Sequence, residues 1–149
     1  MLSEILTKEL VALDVDGLHS PQEVIRYSGF LLVKAGKVKE EYVAKMVEAY
    51  ETIGPYMVMT PGIALPHARP SGDVLEPCIS FVRLKNPVAF HHPGNDPVKL
   101  VFALGGVQHN GHLEVLEALS GLLGDEKNIE QLLSLKSYEE LEKLIQSVR

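Results

Sequence analysis

The run Thr60-Pro61-Gly62-Ile63-Ala64-Leu65-Pro66-His67-Ala68-Arg69-Pro70 places a turn, a strand and a stiffened histidine in immediate succession. Pro61 presets φ for the first central position of a turn, and Gly62 accepts positive φ at the second. Ile63, Ala64 and Leu65 form a short apolar run, the pattern of a buried strand end rather than a solvated loop. Pro66 removes a backbone donor and so ends ladder pairing just before His67. Pro70 stiffens the chain again, with the cation Arg69 in between. An imidazole held at the mouth of a core strand is how a pre-positioned nucleophile is built. The same local pattern also fits a structural, half-exposed histidine.

Towards the N-terminus the pattern alternates between helix and strand. Ser3 to Lys8 reads as a helical turn and Leu10–Val15 as a first strand, closed by the turn pair Asp16-Gly17. Ser20-Pro21-Gln22-Glu23 carries an N-cap, a first-turn proline and a capping-box glutamate. Val24, Tyr27 and Phe30 or Leu31 hold a helical period until Gly36. Tyr42, Val43, Met46, Val47 and Tyr50 form one buried stripe of a second helix, from about Lys39 to Thr52, ended by Gly54-Pro55.

Towards the C-terminus, Cys78–Leu84 alternates as a strand with Ile79, Phe81 and Arg83 on one face. Val88-Ala89-Phe90 is a short apolar piece, and His91–Pro97 is a turn-rich loop. Val98–Leu104 is the most continuous apolar run and the candidate central strand. Asn110 is suited to cap a helix carrying Leu113, Leu116, Leu119, Leu122 and Leu123. Asp125 caps the next helix, and Ser137-Tyr138-Glu139-Glu140 opens the last. Strands separated by helices, with no long linker, predict a single α/β domain over residues 1–149. Its central mixed β-sheet carries helices on both faces.

Composition narrows the function classes. Hydrophobic residues make up 46% and charged residues 23% of the 149, as in globular domains. The net charge of −6 argues against nucleic acid, which needs a basic face. The single cysteine, Cys78, excludes an internal disulfide and agrees with a reducing cytoplasm. No apolar run approaches a bilayer span, and Met1-Leu2-Ser3-Glu4 lacks the features of a signal peptide, so no direct membrane insertion is expected.

A second histidine region follows the longest strand. In Val107-Gln108-His109-Asn110-Gly111-His112-Leu113, His112 falls in the first turn of a helix, where free N–H groups and the dipole favour anions. His109 reads as a solvated loop residue.

Gly62-Ile63-Ala64-Leu65-Pro66-His67-Ala68-Arg69 resembles the phosphorylation-site signature of enzyme IIA components of phosphoenolpyruvate-dependent sugar phosphotransferase systems, in the mannitol/fructose class. The flanking Ile53-Gly54-Pro55-Tyr56 and Thr60-Pro61 resemble the ascorbate-type branch. The resemblance implies a cytoplasmic phosphotransferase without bound cofactor or metal. His67 would accept phosphoryl on its tele nitrogen, Nε2, from the histidine-containing phosphocarrier protein. It would then pass the group to a cysteine of enzyme IIB, which feeds a membrane permease, enzyme IIC. His112 would orient the phosphoryl group, amides near Gly111 and His112 would receive its oxygens, and Arg69 would stand at the rim. One departure is plain: mannitol- and fructose-type members carry an arginine near the end of the helix before the motif, whereas Met46–Thr52 holds none.

Three other readings compete. A regulatory module of the same fold would have its phosphorylation state read by a partner. A metal protein would use His67, His91-His92 and His109-x-x-His112, but these spacings match no recognised ligand signature. Acyl transfer by Cys78 is opposed by its place inside a strand, where it packs as a small hydrophobe.

Overall fold

The computed structural model describes residues 2–107 and 113–148. Its centre is an antiparallel pair of long strands, β3 (Cys78–Val88) and β4 (Val98–Gly105). β1 (Val11–Val15) runs parallel to β3 on one side, and β2 (Ile63–Ala64) runs parallel to β4 on the other. The sheet order is therefore β1-β3-β4-β2, with both parallel and antiparallel pairs. The short edge strand β2 is the one that carries the histidine motif.

The helices are α1 (Leu2–Ile5), α2 (Pro21–Lys34), α3 (Glu40–Ile53), α4 (Leu113–Leu123), α5 (Glu126–Ser134) and α6 (Tyr138–Ser147). Strand alternation sends successive side chains to opposite faces, and two buried polar residues on β3 mark the two sides. Ser80 Oγ donates to the Ser28 carbonyl of α2 at 2.8 Å. Arg83, of opposite parity, donates from Nη1 to the Leu132 carbonyl of α5 at 3.1 Å. Helices thus cover both faces, as the sequence pattern predicts. Phe81 and Phe102 are directly paired in register and stack at 4.7 Å between centroids within the core.

Local signals explain the element boundaries. Ser20 Oγ accepts the Glu23 N–H, and Ser137 Oγ accepts the Glu140 N–H, so both serine caps form. Each returning glutamate reaches one residue further back than a capping box requires, to the N–H of His19 and of Lys136. α2 and α3 approach so closely that a Cβ added at Gly29 would meet Val43 Cγ2 at 2.8 Å. That contact rotates Phe30 outwards, 56% exposed, while Leu32 is completely buried. Of the two expected alternatives, Phe30 or Leu31, it is Leu31 that packs in part against the core.

Two other boundaries shift. Lys8–Leu10 forms a 3₁₀ turn, so β1 begins at Val11 rather than Leu10. The piece Val88-Ala89-Phe90 is not a separate strand. β3 runs on to Val88 across an irregularity in its register with β4, and Phe90 is buried beyond the strand end. Pro87 is compatible with this because it lies in the irregular stretch, where no ladder donor is required.

Candidate active site

The Thr60–Ile63 turn forms as its residues dictate. The Ile63 N–H donates to the Thr60 carbonyl at 3.1 Å, with Gly62 at φ 76°. Beyond β2, the chain remains tied down. The Leu65 N–H donates to the Met57 carbonyl, and the Leu104 N–H of β4 donates to the Pro66 carbonyl, each at 2.8 Å. Pro66 therefore ends donation by the strand but not its attachment to the sheet.

His67 is held at its ring and at its backbone. Nδ1 lies 2.7 Å from the Leu65 carbonyl oxygen. A carbonyl only accepts, so Nδ1 carries the proton in this bond and the neutral ring keeps its lone pair on Nε2. The His67 carbonyl accepts from the Tyr56 hydroxyl at 2.5 Å. Tyr56 also meets the imidazole edge to face, 5.2 Å between centroids and 80° between planes. The next amide, Ala68 N–H, donates to the Tyr42 hydroxyl at 3.1 Å, and that hydroxyl donates to the Leu104 carbonyl at 2.5 Å. Burial pushes both phenols above the ordinary tyrosine range, which keeps them protonated as donors.

His67 lines two depressions. One, of about 640 Å³, lies against α3 and includes Lys45, Ile53, Tyr56 and Arg69. The other, of about 450 Å³, lies against α4 and includes Met59, Leu104, Leu116 and Leu119. Each brings an exposed apolar side chain near the histidine: Ile53, 70% exposed, and Met59, 63% exposed. Of the predicted site residues, the fold brings Arg69 into the same depression as His67. His112, Gly111, His109 and Asn110 lie outside the described residues.

Sequence reasoning missed three participants. Lys45 lines the His67 depression from α3 and is anchored by 2.9 Å contacts to Ser71 Oγ and Asp73 Oδ2. Its place one turn after Tyr42 is a usable signal, because helical neighbours at that spacing share a face. Tyr42 reads from its periodicity as core alone, and Tyr56 gives no local sign of its partner. Nothing in Met46–Thr52 supplies a cation to the depression.

The rival sites look different. Among the described residues, no group of three His, Cys, Asp or Glu converges as a metal site. Cys78 is buried, its thiol is pushed up to about 12 by desolvation, and Sγ rests 3.8 Å from the Gly105 carbonyl. Such a thiol is held away from its reactive thiolate form.

A family model described as "Phosphoenolpyruvate-dependent sugar phosphotransferase system, EIIA 2" matches residues 4–148. This chain belongs to that family. As an EIIA component, it is a phosphotransferase domain. It is 36% identical over 125 residues to the ascorbate-specific PTS system EIIA component of Escherichia coli K12, covering 83% of this chain and 81% of that one. The crystal structure of IIA mannitol from Escherichia coli superposes with a TM-score of 0.80 at 30% identity, covering 94% of this chain and 98% of that one. A complex of enzyme IIAMTL and phosphorylated enzyme IIBMTL from the same organism contains a fold that matches with a TM-score of 0.82 at 28% identity. There the coverage is 95% of this chain and 97% of that one. Among the described residues of the EIIA domain, no helix is long and apolar enough to cross a membrane.

Proposed function

We propose that His67 is the phosphoryl carrier of this EIIA domain, in a phosphotransferase system of the ascorbate type. The observation that carries the reading is the 2.7 Å contact between His67 Nδ1 and the Leu65 carbonyl. It leaves Nε2 as the basic nitrogen, on a ring that borders two open depressions.

The reaction begins with a phosphohistidine on the histidine-containing phosphocarrier protein. The Nε2 lone pair of His67 attacks phosphorus in line, the N–P bond of the donor breaks, and its electron pair returns to the donor imidazole. The new imidazolium on His67 is stabilised by the Nδ1–H bond to the Leu65 carbonyl. A cysteine thiolate of enzyme IIB then attacks the same phosphorus, and the Nε2–P bond breaks. Phosphoryl transfer of this kind depends mainly on alignment and charge stabilisation. His112 and the amides near Gly111 are assigned to the phosphoryl oxygens, with Arg69 at the rim. The transfer needs no bound metal or cofactor.

The ascorbate assignment rests on the E. coli relative, and the IIB acceptor on the mannitol complex. Ile53 and Met59 supply the apolar surface that transient partners use, since such contacts are modest in area and partly hydrophobic. The domain works in the cytoplasm, between the phosphocarrier protein and a IIB that serves the IIC permease.

The test is mass spectrometry after incubation with phosphoenolpyruvate, enzyme I and the phosphocarrier protein, with the sample kept alkaline because phosphohistidine is acid-labile. One phosphoryl group on His67, transferable to an ascorbate-type IIB, is expected. No label beside an active control IIA would overturn the carrier reading. Efficient transfer to a mannitol-type IIB alone would overturn the ascorbate assignment.

A further inference from the structure

The peptide unit between His67 and Ala68 is gripped from both sides by tyrosine hydroxyls. Its carbonyl accepts from Tyr56, and its N–H donates to Tyr42. The two tyrosines come from different places, Tyr42 from α3 and Tyr56 from the turn that follows that helix. Tyr42 is fully buried and tied to β4 through the Leu104 carbonyl, so it is part of the rigid core. Tyr56 is half-buried, lines the same depression as His67, and alone of the two also touches the imidazole.

We propose that Tyr56 is a positioning residue for the phosphoryl carrier. Its hydroxyl holds the His67 carbonyl and its ring walls one side of the imidazole, so that Nε2 points along a fixed line. The proposal rests on the reading of His67 as the carrier. Two side-chain torsions, χ1 and χ2, and the backbone orientation at His67 decide where Nε2 points. The Leu65 carbonyl restrains the ring through Nδ1, but that bond alone still permits the backbone and ring to swing together about the contact. Tyr56 removes this freedom through two separate contacts, one to the backbone and one to the ring. In-line transfer is sensitive to misplacement on the scale of an ångström. A group that aligns the nucleophile without touching phosphorus therefore affects rate more than stability.

Tyr56→Phe removes the hydroxyl and keeps the ring, whereas Tyr56→Leu removes both. The rate of phosphoryl uptake by His67 is expected to fall about tenfold in Tyr56→Phe and further in Tyr56→Leu, because small losses of alignment have large kinetic effects. Nitrogen-15 NMR of the unphosphorylated protein supplies the readout that a merely structural role would not move. At mildly alkaline pH, wild-type His67 should show one Nδ1–H tautomer with a single ring environment, and Tyr56→Phe a broadened or mixed one. A wild-type uptake rate in Tyr56→Phe overturns the proposal. So does a slowed variant whose His67 ring signals match those of the wild type. The NMR arm uses no phosphoryl donor. If wild-type protein takes up no phosphoryl group, the carrier reading fails by itself, and the ring signals still decide whether Tyr56 orders His67.

Discussion

His67 and His92 both sit in proline-flanked stretches at strand ends, yet their rings are used in opposite ways. His67 Nδ1 faces a carbonyl and must donate, which leaves Nε2 as the acceptor beside open space. His92 Nδ1 faces the N–H groups of Gly94 and Asn95, at 3.1 and 3.0 Å, and must accept. The neutral His92 ring therefore carries its proton on Nε2 and uses its lone pair to close its own loop. One histidine is held by its surroundings so that its basic nitrogen is free. The other employs its basic nitrogen to hold its surroundings. A histidine in a loop becomes a candidate nucleophile only in the first arrangement.

The two regions are also mechanically joined. Asp96 accepts the N–H groups of Phe90, His91 and His92, at 2.9, 2.7 and 3.2 Å, and so folds the loop around one carboxylate. Asn95 then reaches across to the motif. Its side chain donates to the Val58 carbonyl at 3.0 Å, and its carbonyl accepts the Gly62 N–H at 2.9 Å. The His92 loop thus buttresses the turn from which the His67 strand starts.

The contrast is broken most directly at His67. In His67→Ala, phosphorylation should be lost entirely, while thermal unfolding remains close to wild type because the side chain is only half-buried and its ring bonds within its own segment. A label still acquired at the wild-type rate would make His67 a structural residue after all. Asp96→Ala comes next and acts on stability. Three backbone donors lose a charged acceptor, and the loss should be about 2–3 kcal/mol, read as a lower denaturant midpoint with unchanged slope. A shift below about 0.5 kcal/mol would show that water replaces the carboxylate without penalty.

His92→Ala should cost about 1 kcal/mol, the usual net value of such hydrogen bonds, and leave phosphoryl uptake unchanged. Nitrogen-15 NMR sharpens the same point without mutation. His67 and His92 should appear as opposite neutral tautomers in one spectrum, and a shared tautomer would remove the distinction drawn between them. The last effect is absent at neutral pH and concerns the second nucleophilic atom, at Cys78. Its folded thiol stands at about 12 against an ordinary 9.0, so between these values the folded chain binds a proton that the unfolded chain has released. Stability from this group is whole below the lower value and falls as pH rises towards the upper one. Cys78→Ala should flatten that alkaline decline, and the native thiol should react with alkylating reagents only as fast as the protein opens. Rapid native-state labelling would contradict its burial.

Much of this arrangement is legible in the chain. Ser20, Asp125 and Ser137 announce their helices because caps act over one turn and need nothing distant. The Pro61-Gly62 turn and the apolar run after it likewise place His67 at the end of a strand. Periodicity is less reliable where two helices meet tightly, as Phe30 illustrates. Its outward turn follows from the close contact of Gly29 with Val43, and no spacing rule within α2 contains that contact. Cys78 and Arg83 read correctly as strand residues. The partners of Arg83, Asp14 at 3.1 Å and the Leu132 carbonyl, come from β1 and α5, far away along the chain.

The sequence by itself determined the strand-end histidine, the capped helices, the mixed α/β class and the membership signalled by the motif, because each depends on interactions between near neighbours. The tertiary structure alone decided which ring nitrogen of His67 is free, which tyrosines hold its backbone, and that Lys45 lines the depression from α3. The tyrosine contacts join partners brought together only when α3, β2 and β4 pack, and the ring contact, though within its own segment, needs the backbone shape that this packing imposes. A tyrosine hydrogen bond of 2.5 to 3.1 Å requires a relative placement of elements that no local pattern encodes.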